Sequence, residues 1–289
     1  MRGRRLSQIG VVLAVALQGV TGAGAGVGRG PANTTIAWSC NGAICVVYAD
    51  GSGGRRLTND LFIDSYPAWS PDGKQIAFTG NLGRTVVDIV NADGSDRRRL
   101  TPRHGDDAMP AWSPDGRTIA LDNNITRQID LVSPGGEQRH PLIARTASLP
   151  TWSPDGKRIA FVSASGRRLS LTSGDIYVTR IDGTAQHRLA RNGTFPAWSP
   201  DGTKIAFLRN RRRWSRSVAV WIMNADGSGR RRIWTRAAEG GGLSWSPDGE
   251  RIALTSDNDI YIISPDGKTL RRLTRGFGDN LDPAWQPTA

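Results

Sequence analysis

The stretch "PAWSPDGKQIAF" at residues 67–78 returns almost unchanged as "PAWSPDGRTIAL" (110–121), "PTWSPDGKRIAF" (150–161), "PAWSPDGTKIAF" (196–207) and "LSWSPDGERIAL" (243–254). A truncated copy, "DPAW", stands at 282–285. The repeat tryptophans, Trp69, Trp112, Trp152, Trp198, Trp245 and Trp285, follow one another at spacings of 43, 40, 46, 47 and 40 residues. A period of roughly 40–50 residues is that of a propeller blade and not of a helical solenoid.

Each unit has a readable interior. Pro-x-Trp is a first strand that ends in a Ser-Pro-Asp-Gly turn: proline presets φ, the aspartate takes a backbone N–H two residues on, and glycine accepts positive φ. The "IAF" segment is a second strand. A third follows in "VDIVNADG", "DIYVTRIDG", "VWIMNADG" and "DIYIISPDG", each ended by an Asp-Gly turn, and "RRRLT" or "RRLT" is a fourth. Four antiparallel strands make one blade. Composition agrees, with 35 glycines, few aromatics beyond 10 tryptophans, and no long stretch of apolar residues at helical spacing.

Blades two to six start at Pro67, Pro110, Pro150, Pro196 and Leu243, whereas "TTIAWSCNGAICVVYADGSGGRRLT" (34–58) supplies second, third and fourth strands without a first. The missing strand is the terminal "DPAW". The expected fold is therefore all-β, a six-bladed β-propeller of four-stranded antiparallel blades over residues 34–289, whose first blade is closed by the C-terminal strand so that no edge is left open.

The Trp-Ser-Pro-Asp-Gly turn, the following Ile-Ala-Phe, and a third strand ending in Asp-Gly before Arg-x-Leu-Thr resemble the repeat of TolB-type β-propellers over nearly all of residues 34–286. The resemblance implies a propeller that binds envelope partners, a peptidoglycan-associated lipoprotein among them, and supports Tol-type transport and envelope integrity. That family carries an α/β domain ahead of its propeller, and the roughly ten residues between the expected signal cleavage site and the first strand are too few for a domain. Partner binding thus carries over more directly than translocation.

The N-terminal stretch "MRGRRLSQIGVVLAVALQGVTGAGAG" has a basic start (Arg2, Arg4, Arg5), an apolar run from Ile9 to Val20, and small residues around Ala23 and Ala25. It reads as a cleaved export signal over 1–25, followed by a short linker at 26–33. A retained anchor is the alternative, for which the run is short and broken by Gln18. Export implies a periplasmic or extracellular protein with no stable membrane insertion after cleavage. Losing three arginines lowers the formal charge from +12 to +9, so the mature chain stays strongly basic. For an exported protein this points to anionic envelope surfaces or an acidic protein or peptide rather than nucleic acid. Cys40 and Cys45 are candidates for a hairpin disulfide. A two-residue Asn41-Gly42 loop would place Cys40 opposite Ala43, so a four-residue loop is expected if the bond forms.

Candidate site residues fall into two sets on the face away from the Asp-Gly turns. The two long spacings place insertions between the second and third strands of the fourth and fifth blades, with Arg167 and Arg168 in one and Arg211, Arg212, Arg213, Trp214 and Arg216 in the other. Together they would form a partner-binding patch for an acidic or aromatic-bearing protein, through ion pairs and cation–π contacts; the alternative is a solvated loop pair. Loops entering the first strands bring Asp64, Asp106, Asp107, Asp279 and Asp282 toward the channel mouth, where a cation or a basic peptide end could sit, unless the carboxylates never converge.

Other conspicuous residues have simpler explanations. Asp72, Asp115, Asp155, Asp201 and Asp248 belong to turn chemistry, the repeat tryptophans to blade packing, and the arginine runs at 55–56, 97–99, 230–232 and 271–272 to protection of the outermost strand edge. His104, His140 and His187 form no spaced set with cysteine, and no nucleophile-elbow or zinc-peptidase motif occurs, so neither catalysis, metal nor cofactor is expected. The leading reading is a monomeric, non-catalytic binding module of the cell envelope. The alternatives are a propeller hydrolase or lyase, the regulatory propeller of a peptidase, and a purely structural surface protein.

Overall fold

The computed structural model describes residues 34–59, 63–81, 83–143, 146–163, 174–210, 218–237, 241–275 and 279–288. The expected signal peptide and linker lie outside them, as do Arg167, Arg168, Arg211, Arg212, Arg213, Trp214 and Arg216.

The strands in chain order are β1 (Thr35–Cys40), β2 (Ala43–Tyr48), β3 (Arg55–Arg56), β4 (Ile63–Trp69), β5 (Gln75–Asn81), β6 (Thr85–Asn91), β7 (Arg98–Arg99), β8 (Asp107–Trp112), β9 (Ile119–Asn123), β10 (Gln128–Val132), β11 (His140–Ile143) and β12 (Ala147–Trp152). They continue as β13 (Arg158–Ser163), β14 (Asp175–Arg180), β15 (His187–Ala190), β16 (Gly193–Trp198), β17 (Lys204–Asn210), β18 (Val218–Asn224), β19 (Arg231–Ala237), β20 (Leu243–Trp245), β21 (Ile252–Ser256), β22 (Asp259–Ile263), β23 (Leu270–Arg272) and β24 (Asn280–Trp285). They form six four-stranded antiparallel sheets, one of them ordered β24-β1-β2-β3, so the C-terminal strand completes the first blade. Both insertions fall between second and third strands, after β13 and after β17.

The repeat motif is explained bond by bond. In the first turn, Ser70 Oγ donates to Asp72 Oδ1 at 2.6 Å, Lys74 N donates to the same oxygen at 3.1 Å, and Gln75 N donates back to Ser70 Oγ at 2.9 Å. The same bonds recur at Ser113–Asp115 and Ser199–Asp201. The Ser70 hydroxyl, then the Lys74 N–H, hold the Asp72 carboxyl below the usual range, as expected of an anion fixed by a turn. The closing Leu-Thr of a blade also ties strands together, since Thr58, Thr101 and Thr274 accept through Oγ1 the third-strand N–H of Ile44, Val87 and Ile260, each at 2.9 Å.

Apolar burial lies chiefly between blades. Phe78 packs with Ile44 and Val46 of the first blade, and Phe207 with Ile176, Val178 and Leu189 of the fourth. Phe78, Phe161 and Phe207 are fully buried, each worth roughly 1.5–3 kcal/mol relative to exposure. The second Asp-Gly turn of one blade leans on the fourth strand of the blade before it. A Cβ at Gly227, in the Asp226-Gly227 turn, would lie 2.9 Å from the Leu189 carbonyl, and its φ of +84° excludes most side chains as well.

The arginine runs depart from simple edge protection. Arg55 Nη2 donates to the Ala92 carbonyl at 2.9 Å, Arg98 Nη1 to Pro134 at 2.9 Å and Arg231 Nη2 to Pro265 at 2.8 Å, each reaching the next blade's turn. Arg271 reaches the Ala49 carbonyl in the same way across the seam. These residues fasten neighbouring blades because carbonyls exposed at a tight turn are the nearest acceptors for a long guanidinium.

Cys40 and Cys45 are joined, and the loop between them is the two-residue Asn41-Gly42 turn, with φ of 45° and 76° and Cys40 opposite Ala43. The expected four-residue loop is not needed. The cysteines are diagonal neighbours on one face of a twisted two-strand ribbon, which brings their Cα atoms to 5.9 Å, within bridging range.

The seam predicts a measurable dependence. Removing residues 281–289 takes away the inner strand of the first blade, and thermal unfolding followed by circular dichroism should shift to lower temperature and lose its single sharp transition. Melting indistinguishable from that of the full chain would contradict the closure.

Candidate functional site

Five of the six inner strands carry the same irregularity. Tyr66, Met109, Leu149, Phe195 and Asp282 adopt φ between 50° and 57° directly before proline, and four of them sit in register shifts of their own strand against the second strand. For Asp282 the shift appears in the pairing of β24 with β1. The sixth blade has Gly241 and Gly242 in this place. A bulge re-aims a side chain, and here it turns each bulged residue onto a central cavity of about 320 Å³.

The bulge also frees an amide N–H that the ladder no longer uses. A residue on the second strand of the preceding blade captures it: Met109 N donates to Thr79 Oγ1 at 2.8 Å, Leu149 N to Asp122 Oδ1 at 3.0 Å and Asp282 N to Thr255 Oγ1 at 3.2 Å. Ser39, Val162 and Leu208 stand in the same column of the repeat. Val162 and Leu208 offer no acceptor, and after Leu208 the Gly242 N–H turns to Asp282 Oδ1 at 3.1 Å instead.

The waist is thus ringed by Tyr66, Met109, Leu149, Phe195, Gly242 and Asp282, with Asp282 the single carboxylate among them. Burial pushes its carboxyl up to about 7, against the opposing N–H groups of Gly242 and Tyr66 and the hydroxyl of Ser39. Asp122 is likewise pushed up to about 7 by burial, opposed by Ser148 Oγ at 2.6 Å and the Leu149 N–H. Burial and then these two carboxylates raise the Tyr66 phenol.

Beyond the waist the channel opens on the Ser-Pro-Asp-Gly face through a second cavity of about 460 Å³, collared by Trp69, Trp112, Trp198, Trp245 and Trp285 and by turn prolines such as Pro71, Pro154 and Pro247. The tryptophans mainly pack: Trp69, Trp198, Trp245 and Trp285 expose 5–8% of their surface. Some also bond across blades, as Trp69 Nε1 does to the Ala284 carbonyl at 3.2 Å and Trp152 Nε1 to Ala111 at 3.0 Å.

The five acids expected at the opposite mouth do not gather. Asp64 is buried in a two-pronged pair with Arg97, at 3.1 Å for both bonds, and Asp107 in a like pair with Arg139 at 2.8 and 2.7 Å. Arg97 is therefore an interior ion-pair residue and not an edge charge. Asp106 accepts Thr85 Oγ1 at 2.5 Å, and Asp279 accepts Asn258 Nδ2 at 2.8 Å beside the seam. Only Asp282 of the five lines the channel cavity. Strand polarity places the loops as expected, but the arginines that claim two of the carboxylates come from the start of the fourth strand, a pairing invisible along the chain.

Among the described residues no group of three or more His, Cys, Asp or Glu is placed to hold a metal ion. His104 is exposed, and the rings of His140 and His187 face the carbonyls of Gln138 and Ala185 at 3.2 and 3.0 Å. What the channel offers chemically is an apolar waist with one protonatable carboxyl. The repeat column before the inner-strand Pro (Leu243 in the sixth blade) was the available signal for it, since it runs Tyr, Met, Leu, Phe, Gly, Asp beside near-identical Trp-Ser-Pro-Asp-Gly turns.

Residues 138–259 match the family model described as the TolB beta propeller domain. The propeller is TolB-like. Among solved structures, TolB from Acinetobacter baumannii superposes with a TM-score of 0.77 at 22% identity, covering 90% of this chain and 68% of that one. A chain of a nidogen/laminin complex gives 0.72 at 12% identity, covering 88% and 98%. An oligogalacturonate lyase in complex with manganese gives 0.55 at 14% identity, covering 81% and 70%. No curated protein matches the chain. At these identities the likeness to solved structures is one of fold.

The raised carboxyl of Asp282 has a consequence for stability. Its folded value lies above the unfolded one, so the folded state holds a proton the unfolded state releases, and stability falls as pH rises from about 4 toward 7, by up to about 1.4 kcal/mol per pH unit. Asp282→Asn should therefore melt higher than the parent at pH 8 and lose most of this advantage at pH 4, as read by calorimetry. An advantage independent of pH would place the cause elsewhere.

Proposed function

We propose that the chain is a binding module of the cell envelope, without catalysis of its own, that receives a short segment of a partner protein in its channel. The observation that carries this is the waist, where large apolar side chains and one buried carboxylate surround a channel that opens to solvent through a rim of tryptophan and proline. Apolar side chains around a few well-placed polar groups are the usual composition of a ligand pocket. Asp282 gives the site a sign: it favours an amine or another hydrogen-bond donor, with an apolar side chain resting on Phe195 and Tyr66. The acidic partner expected from the arginine-rich insertions rests on residues outside the described ones. The TolB-like fold supports a protein-binding role; the envelope setting and a part in Tol-type transport or envelope integrity are proposed by analogy with that fold, and export from the basic and apolar N-terminal stretch.

A displayed library of random peptides, panned against the propeller, tests the reading. Phe195→Arg, which sets a long cation in the channel, should abolish retention of the enriched peptides with the circular dichroism spectrum unchanged. Asp282→Asn should keep apolar preference and lose selection for amines. Equal retention by the parent and Phe195→Arg would remove the channel as the binding site.

A further inference from the structure

The repeat supplies its own reference for a site at which one blade differs. In the second and third blades the arginine that opens the fourth strand is gripped by two carboxylates. Arg97 bonds Asp88 through Nε at 2.9 Å and Nη2 at 2.6 Å, and Asp64 through both Nη atoms at 3.1 Å. Arg139 bonds Asp130 through Nε at 2.8 Å and Asp107 through Nη1 and Nη2 at 2.8 and 2.7 Å.

Arg230 holds the same place in the fifth blade, but its partners are gone. Gly193 stands opposite Arg209 where Asp64 stands opposite Gly80, and Trp221 stands opposite Phe207 where Asp88 stands opposite Phe78. No carboxylate could return at 193 without displacing core, because a Cβ there would lie 2.7 Å from Ile176 Cδ1. Relative to the second blade, two acids are replaced and one arginine is added.

The result is a pocket of about 370 Å³ between the fourth and fifth blades, lined by Arg188, Leu189, Ala190, Arg191, Arg209 and Arg230. The guanidinium of Arg209 lies 5.2 Å from the Trp221 ring centroid, and Arg230 donates to the Leu189 carbonyl, so both are held in place. Among the described residues Asp175, 3.2 Å from Arg188, is the one carboxylate that pairs with any of the four. Arg191 is exposed at the pocket's edge.

We propose that this pocket is an oxyanion site that takes a phosphate group, free or as a monoester, where aspartates serve in the second and third blades. Guanidinium forks match phosphate oxygens, and four cations against one carboxylate favour a dianion over a lone carboxylate. The pocket is wider than a phosphate ion, which leaves room for a small organic remainder. The site lies between the fourth strand of the fourth blade and the fifth blade, and none of its lining residues lines either channel cavity.

Isothermal titration of the full chain with inorganic phosphate and with glycerol 3-phosphate, at constant ionic strength, tests it. Both should bind saturably at one site. Arg209→Glu, which returns a carboxylate to the pocket, should weaken binding by at least about tenfold, and Arg191→Ala should weaken it in the same direction. Arg191→Ala alters an exposed side chain and so keeps the test valid if Arg209→Glu misfolds. Arg117→Ala on a distant turn should leave it unchanged. Absence of phosphate binding, or equal weakening by Arg117→Ala and Arg191→Ala, overturns the proposal. Vesicles of phosphatidylcholine with and without phosphatidic acid separate the sources: sedimentation that needs phosphatidic acid and is lost with inorganic phosphate or Arg191→Ala identifies a lipid headgroup, and no sedimentation identifies a soluble ester.

Discussion

Everything in this molecule depends on the pairing of β24 with β1. The apolar clusters lie between blades, so each blade is covered by its neighbours, and a ring that failed to close would leave one blade bare on a face as well as an open inner edge. The seam is accordingly dense in specific bonds. Trp38 Nε1 donates to Asn280 Oδ1 at 2.9 Å, Asp279 N to Asn41 Oδ1 at 3.1 Å, and Gln286 N to the Thr35 carbonyl at 2.8 Å. Each is worth about 1 kcal/mol net, so register more than raw stability is what they supply. The Cys40–Cys45 bond sits at the end of the strand that receives β24 and ties it to β2 beyond the reach of fraying.

A second constraint follows from closure. Inner strands converge on the axis, and a regular strand alternates its side chains between the two faces of its blade. The bulge before the inner-strand proline breaks that alternation in five of the six blades and turns one side chain of each to the axis. Its cost, a non-glycine residue at positive φ and an unpaired N–H, is offset by the Thr79, Asp122 and Thr255 side chains from the preceding blade. The channel is therefore built by the same device that lets neighbouring blades recognise each other, and its chemistry is set by one residue from each blade.

The fold is legible in the chain because its signals are local and repeated. Ser-Pro-Asp-Gly specifies its turn through bonds that span five residues at most, and the truncated copy at 282–285 fixes the closure and the blade count. The candidate site is legible only in part. Asp282 is visible as an acid at an inner strand, but the waist it belongs to arises from a bulge that no propensity rule anticipates before proline. Asp64 and Asp107 resemble mouth residues along the chain because Arg97 and Arg139, more than 30 positions away, are reached only through strand pairing. The disulfide loop departs from expectation for a related reason: ribbon twist, not the residue count of the turn, brings diagonal cysteines together.

Six copies of one unit make departures from the repeat more informative than the repeat itself. Where packing dictates the residue, the copies agree, as at Ile76, Ile119, Ile159, Ile205 and Ile252, all fully buried. Where they disagree, the neighbours of the odd residue show whether the change was compensated. Val162 and Leu208 replace the polar cap residue, and Asp282 steps in for the amide left after Leu208. At the Arg97 position the second and third blades supply internal counterions, whereas the fifth keeps the arginine, fills one acid's place with Trp221, leaves the other as Gly193 and adds Arg209. Gathered cations without matching carboxylates repel one another, and the Trp221 ring and the Leu189 carbonyl that hold Arg209 and Arg230 supply no full countercharge. A fold that can neutralise this position internally, and does so twice, has left it to an external anion in the blade where it does not.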